Sequence, residues 1–337
     1  MRRIFKSLTA LFIVSASTLS VSCESDRFRQ DEGMVWHTTY HITYRADRDM
    51  SDSIMATLRD VGASLNVFDP TSLASRLNAG EQLPLDSNYR RVYEMSRIVN
   101  GVTKGAFDPT LGPLITAWGF GKGHKATADT LRIDSLLRFT GITKTHIENN
   151  MLVKDDPRIE FNFSAIAKGY GCDRVGEMLQ RNGINDYLVE IGGEIRCSGL
   201  SPSGEKWRVS IDRPFTSDSI RHDSQCVVAI TYRGMATSGD YRNFHRDAQG
   251  AYGHTISATT GRPARTDVLS ATVISATAMS ADAFATSMMA LGSEKAKDLA
   301  LRLRIPVMLV LADSTVWQNE QFEEIVVQQL CGPSVSE

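Results

Sequence analysis

Cysteine is scarce in this chain, with five in 337 residues and no two in a CxxC pair. Their spacing suits neither a zinc site nor a dense disulfide framework, so no bridge is expected. A basic excess is missing too. The 37 Lys and Arg face 39 Asp and Glu, a formal charge of −2, which excludes nucleic acid held by a general electrostatic footprint. Internal repeats and low-complexity tracts are absent, which removes solenoids and fibrous arrays. What remains is a chain with 42% apolar residues, long enough for one large domain or two smaller ones.

The N-terminus departs from this globular composition. Arg2, Arg3 and Lys6 form a basic region, Leu8 to Ala16 a short apolar run, and Ser20-Val21-Ser22-Cys23 ends it. The run is too short to span a bilayer, for which about 20 apolar residues are needed, so residues 1–22 read as an export signal. The pattern resembles a bacterial lipoprotein signal with Cys23 as the lipidated residue, although Ser20 stands where that pattern usually has Leu. The expected location is the bacterial cell envelope, lipid-anchored and facing the periplasm. Loss of Arg2, Arg3 and Lys6 leaves a charge of −5, so membrane attachment would come from the lipid. Residues 23–33 read as a polar tether and 34–330 as one folded domain.

Along that domain, Val35 to Tyr44 reads as a strand, and Ile54, Leu58, Val61 and Leu65 as the apolar stripe of a helix. A second amphipathic helix ends at Gly105, before a glycine- and proline-bearing loop through Gly121. His146 to Val153 and Ile159 to Phe163 suggest hairpin strands, and Ser164 a cap for the helix that follows. Tyr187 to Ile191, ending in Gly192-Gly193-Glu194, opens a strand-rich half. A buried strand, Val307 to Leu311, comes near the end. Helices mix with antiparallel hairpins and no βαβ alternation appears, which predicts an α+β fold.

Chemistry concentrates in four stretches. Ser280-Ala281-Asp282-Ala283-Phe284-Ala285-Thr286 places a carboxylate and a hydroxyl four apart, on one face of a helix that Ser280 would cap. Such a pair suits a hard cation, and a helix end suits an anion. The same residues equally describe an ordinary helix start, with Asp282 against the dipole and Thr286 bonded back to the backbone. Lys168, in Ala165-Ile166-Ala167-Lys168-Gly169-Tyr170, stands near a helix start where a cation is unfavourable without an anion beside it; alone it reads equally as a solvated lysine. Phe107-Asp108-Pro109-Thr110-Leu111-Gly112-Pro113-Leu114 with Trp118-Gly119-Phe120-Gly121 follows an unusual loop path, and Thr237-Ser238-Gly239-Asp240-Tyr241 is a hydroxyl-bearing turn.

Together, in their order along the chain, these stretches closely resemble the ApbE family of flavin transferases across residues 33–312. The resemblance implies mixed and antiparallel sheets with packed helices and a flavin-binding cleft between two subdomains. It implies an enzyme that cuts FAD at its pyrophosphate, moves the FMN half to a threonine or serine of a partner protein and releases AMP, with Mg²⁺ as cofactor. By the same resemblance Asp282, Thr286 and the Ala165 carbonyl hold the metal. Trp36, Phe68, Ala106, Phe107, Asp108, Asn162, Lys168 and Ile256 meet FAD, and His254 lies near the reacting phosphate. Asn162 stands where the family commonly has Asp, Ser257-Ala258 where it has Asp-Pro, and His37 where it has glycine. The implied acceptor carries a threonine-containing motif, typically on a membrane electron-transfer subunit. The same implied site with water as nucleophile would give an Mg²⁺-dependent FAD pyrophosphatase, and the departures from the family pattern leave open a non-enzymatic flavin-binding envelope lipoprotein.

Overall fold

A computed structural model of the chain describes residues 27–121, 129–214, 224–239, 244–247 and 250–330. The expected export signal, Cys23, Asp240 and Tyr241 lie outside the described residues.

The first elements are a hairpin, β1 (Arg27–Val35) and β2 (Thr38–Ala46), turned at Trp36-His37 with φ of 48° and 64°. Positive φ at both central residues is the geometry that matches the twist of a two-residue hairpin. Two expectations are corrected here. Most of the supposed tether is strand β1, and Val35 to Tyr44 is interrupted by a turn. β1 is the edge of the largest sheet, where charged side chains discourage pairing with other chains. Arg27, Arg29, Asp31 and Glu32 therefore look like a linker when read in sequence.

Next come α1 (Ser51–Leu65), α2 (Leu73–Asn78), α3 (Ser87–Val102), α4 (Gly112–Ala117) and α5 (Thr130–Leu137). Ile54, Leu58, Val61 and Leu65 of α1 are all buried, as their spacing predicts. α4 gives the 105–121 loop a short helix, with Pro113 in its first turn, where a missing N–H costs nothing. A small hairpin, β3 (Thr145–Glu148) and β4 (Met151–Lys154), turns at Asn149-Asn150. Ile159 to Phe163 is thus not its second strand. Phe161 and Phe163 plug the core instead, edge-on to Tyr89 at 6.1 and 5.1 Å.

The second half holds α6 (Ala167–Arg181), β5 (Tyr187–Ile191), β6 (Glu194–Ser198), β7 (Trp207–Asp212), β8 (Ser224–Ile230) and β9 (Arg233–Gly239). A hairpin, β10 (Phe244–Asp247) and β11 (Gly250–Gly253), leads to β12 (Val268–Ser275), α7 (Ala278–Leu291) and α8 (Ser293–Leu303). β13 (Val307–Leu311), β14 (Val316–Gln318), α9 (Glu320–Glu323) and β15 (Val326–Gln329) complete it.

An eight-stranded sheet, β1-β2-β5-β6-β9-β12-β13-β14, is the central layer, and a three-stranded sheet, β15-β8-β7, is a second. Every pairing among the described strands is antiparallel. Side-chain alternation decides what each face of the large sheet meets. Ala236, Ala271 and Val273 pack under α7 and α8, whereas their neighbours Met235 and Ile274 pack on Trp207, Val209 and Val228 of the small sheet. The result is three layers: helices, large sheet, small sheet. The α+β class is as the sequence predicts.

Candidate active site

A cavity of about 930 Å³ opens where the loop before α4, the start of α6, the β5–β6 turn, β7, the end of β9 and α7 converge. Its wall includes Phe68, Ala106, Phe107, Asp108, Asn162, Ala165, Lys168, His254, Ile256, Asp282 and Thr286. Eleven residues scattered over the sequence thus meet in one place.

The junction of α6 and α7 forms its most polar part. Asp282 is buried, and its Oδ2 accepts the Gly169 N–H at 3.0 Å. In a regular helix that N–H would bond to the carbonyl four residues back, at Ala165. Here it is diverted to Asp282, and among the described residues no hydrogen bond reaches the Ala165 carbonyl. Such close contact requires Gly169, because a Cβ there would lie 2.3 Å from the Ala278 carbonyl oxygen. Thr286, one turn after Asp282, stands 3.2 Å from the Ser238 hydroxyl at the end of β9.

Both expected caps are corrected. α7 begins earlier than Ser280: Thr277 caps it by accepting the Ser280 N–H at 3.1 Å. Its first N–H groups, those of Ala278 and Met279, donate to the Asp173 carboxylate on α6, at 2.9 Å each. The helix end is therefore occupied by protein and is not aimed at a ligand. α6 starts at Ala167 with no side-chain cap, and the Ser164 N–H donates to Asn162 Oδ1 at 2.9 Å.

Lys168 reaches across to Glu194 at the start of β6, Nζ to Oε2 2.5 Å. The Gly192-Gly193 turn, with φ of 61° and 100°, brings Glu194 round, and a Cβ on Gly192 would crowd the lysine stem at 3.2 Å. Glu194 is 3% exposed. Burial pushes its carboxyl up, with Lys168 opposing and the Asp282 charge adding. Burial likewise raises Asp282, against Lys168 and the Gly169 N–H. Burial works against the Lys168 charge, but Glu194 and then Asp282 outweigh it and hold its ammonium above the ordinary lysine value. Two carboxylates thus share one ammonium. Sequence reasoning passed over Glu194, although the Gly-Gly turn marked its strand end, since a glutamate beginning a strand carries no sign of burial.

The remaining candidates divide by what their polar atoms do. Phe68, Phe107 and Ile256 give the cavity an apolar side. The Asp108 carboxylate is engaged internally: it accepts the Thr110 N–H and hydroxyl at 2.8 and 2.5 Å and the Ile142 N–H at 3.1 Å. Burial still pushes its carboxyl up. Asp108 therefore fixes the turn from within the wall, and Ala106 and Phe107 line the space beside it. Asn162 is anchored by its N–H to the Pro109 carbonyl at 2.7 Å. His254 is exposed in the wall, its ring edge-on to Phe120 at 6.2 Å. Trp36 is not in the wall. Its indole packs between α1 and α6, where a Cβ on Gly62 or Gly171 would meet it at 2.7 Å. Cys172, Cys197 and Cys226 are buried free thiols.

Comparison with known proteins agrees with this arrangement. The family model described as the ApbE family matches residues 36–309. The FAD:protein FMN transferase of Vibrio cholerae is 37% identical over 295 residues, covering 83% of this chain and 86% of that protein. The Escherichia coli K12 protein of the same name is 29% identical, covering 88% of each. The structure of the flavin transferase ApbE from Vibrio cholerae superposes with a TM-score of 0.80 at 32% identity, over 89% of this chain and 100% of that one. The apbe protein of Thermotoga maritima, at 22% identity and a TM-score of 0.79, shares the fold. With the family model spanning most of its length, this chain belongs to the ApbE family.

Proposed function

We propose that this protein transfers the FMN half of FAD to a hydroxyl of an acceptor protein. The chemistry balances simply. The acceptor oxygen bonds to the FMN-side phosphorus, the bond from that phosphorus to the bridging oxygen breaks, and AMP leaves with that oxygen. The hydroxyl proton must go to a base or to solvent. His254 lines the cavity and is able to take that proton or to orient a phosphate oxygen. Lys168 supplies a fixed positive charge for the pyrophosphate, and Phe68, Phe107 and Ile256 supply apolar surface for a ring system.

The observation that carries this reading is the α6–α7 junction. The Ala165 carbonyl, which no hydrogen bond reaches among the described residues, the buried Asp282 carboxylate and the Thr286 hydroxyl are hard oxygen donors on one cavity wall. Burial pushes both carboxyls up there, so their charged forms are disfavoured unless a further cation joins Lys168. The donor set therefore fits Mg²⁺, which would contribute charge stabilisation to the pyrophosphate oxygens. Phosphoryl transfer asks mainly for positioning and charge, so the site needs no strong nucleophile of its own.

Asp282→Asn tests this directly, because it keeps an oxygen for the Gly169 N–H while removing the charge. Loss of several kcal/mol of electrostatic stabilisation corresponds to a fall in transfer of roughly 10²-fold or more. Unchanged transfer by this variant at saturating Mg²⁺ would remove the metal assignment.

The acceptor we infer is a threonine-bearing segment of a membrane electron-transfer subunit, and the location the periplasmic face of a membrane, through lipid on Cys23. The N-terminal sequence pattern and the family supply the support for both.

A further inference from the structure

A protein FMN transferase must admit a polypeptide to its cavity, and one sheet edge adjoins that cavity. β7 is an edge strand of the β15-β8-β7 sheet. Its consecutive residues Ser210, Ile211 and Asp212 all line the cavity. Neighbouring side chains of a strand point to opposite faces, so three in a row meet one cavity only when it approaches the strand edge-on.

The hydrogen-bond ladder shows which main-chain groups face that edge. On β8, the Ala229 N–H donates to the Ile325 carbonyl and the Gln225 carbonyl accepts from Leu330, so odd-numbered residues turn toward β15. Even-numbered Cys226, Val228 and Ile230 therefore turn toward β7, opposite Ile211, Val209 and Trp207. In an antiparallel pair the N–H and C=O of one residue point the same way and alternate along the strand. Arg208 and Ser210 thus present theirs outward, away from β8, and among the described residues no hydrogen bond from outside the β7–β8 pair reaches either backbone group of either residue. The other edge strands of the two larger sheets, β1, β14 and β15, contribute none of the described wall residues.

We propose that the acceptor protein presents its hydroxyl-bearing segment in extended form and adds it as a strand to the outer edge of β7. This rests on the transferase reading above and names how its macromolecular substrate docks. Donor and acceptor groups repeating every second residue are matched by another main chain and by little else. An added strand lies about 4.8 Å from β7 and advances about 3.3 Å per residue. A segment paired to Arg208 and Ser210 therefore carries its next residues along the cavity wall. Main-chain bonds supply affinity in this mode, while side chains at alternate positions select the partner.

The test uses a threonine-bearing acceptor peptide that the wild-type protein flavinylates, remade with one N-methylated amide at a time. Strand addition predicts that the acceptor KM rises about tenfold or more at alternate positions and is unchanged at those between, with FAD affinity constant. Arg208→Pro should raise the same KM for the full acceptor, because proline is tolerated at an edge N–H but blocks an incoming strand. Arg208→Lys should not. A thermal melt of Arg208→Pro, and the peptide series itself, separate this from misfolding. Labelling that ignores the N-methyl position, or that is weakened without a two-residue period, overturns the inference alone. No labelling of any acceptor by wild-type protein that binds FAD overturns the transferase reading and this inference with it.

Discussion

Replacing Gly169 by alanine adds one methyl group at the contact on which the site depends. That methyl would lie 2.3 Å from the Ala278 oxygen, 2.6 Å from its carbonyl carbon and 2.9 Å from Asp282 Cβ. Carbon atoms pack comfortably at about 3.5–4.0 Å, so α6 and α7 must part by roughly 1 Å. The obstructing atoms belong chiefly to backbone and cannot rotate away. Overpacking of this kind costs about 1–3 kcal/mol, and the better helix propensity of alanine returns at most about 1. In a domain of this size the net loss lowers Tm by only a few degrees. Activity should suffer far more. Lys168 and Ala165 ride on one side of the contact and Asp282 and Thr286 on the other, and a 1 Å misplacement of reacting groups costs about 10²-fold. Initial rates of flavin transfer at saturating FAD and Mg²⁺, beside a calorimetric melt, measure both quantities. Gly101→Ala, on α3 with nothing within 4 Å, is the control: it should leave activity unchanged and, through helix propensity, raise Tm slightly if it moves it at all. A lowered Tm with wild-type kcat in Gly169→Ala would refute the claim that this contact sets the site.

Asp173 should give a pH signature of unusual sign. Burial, opposed by the Ala278 and Met279 N–H groups, pushes its carboxyl up to about 6, above the unfolded value of 3.8. The folded protein then holds the extra proton between these values. The wild-type stability advantage over Asp173→Asn should therefore fall as pH rises from about 4 to 6, by roughly 3 kcal/mol at most. Urea titrations across that window check it, and a flat or rising difference would contradict it. Fractionation of cells expressing Cys23→Ala tests the anchor: the variant should leave the membrane fraction, and full retention there would count against lipidation at Cys23.

Much of this was legible in sequence where local spacing carries the information. Asp282 and Thr286 share a helix face because they are four apart, and the apolar stripe of α1 is buried as its period dictates. The errors arise where tertiary contacts decide. Ser280 and Thr277 both carry hydroxyls able to cap α7, and only Asp173, remote in sequence, settles which N–H groups remain. Trp36-His37 lacks the Asn-Gly signal of a tight turn, so the hairpin reads as one strand. Trp36 in turn fills the space left by Gly62 and Gly171, two glycines whose importance shows only after folding. Glu194 was hidden for the same reason: its partner Lys168 is 26 residues away.

The most direct test is to mix purified protein, FAD and Mg²⁺ with a threonine-bearing acceptor and to measure AMP alongside covalent flavin on the denatured acceptor. The account predicts equal amounts of both, each dependent on acceptor. AMP formed without labelled acceptor would make the protein a pyrophosphatase, and FAD bound with neither product would make it a flavin carrier; either result contradicts a transferase.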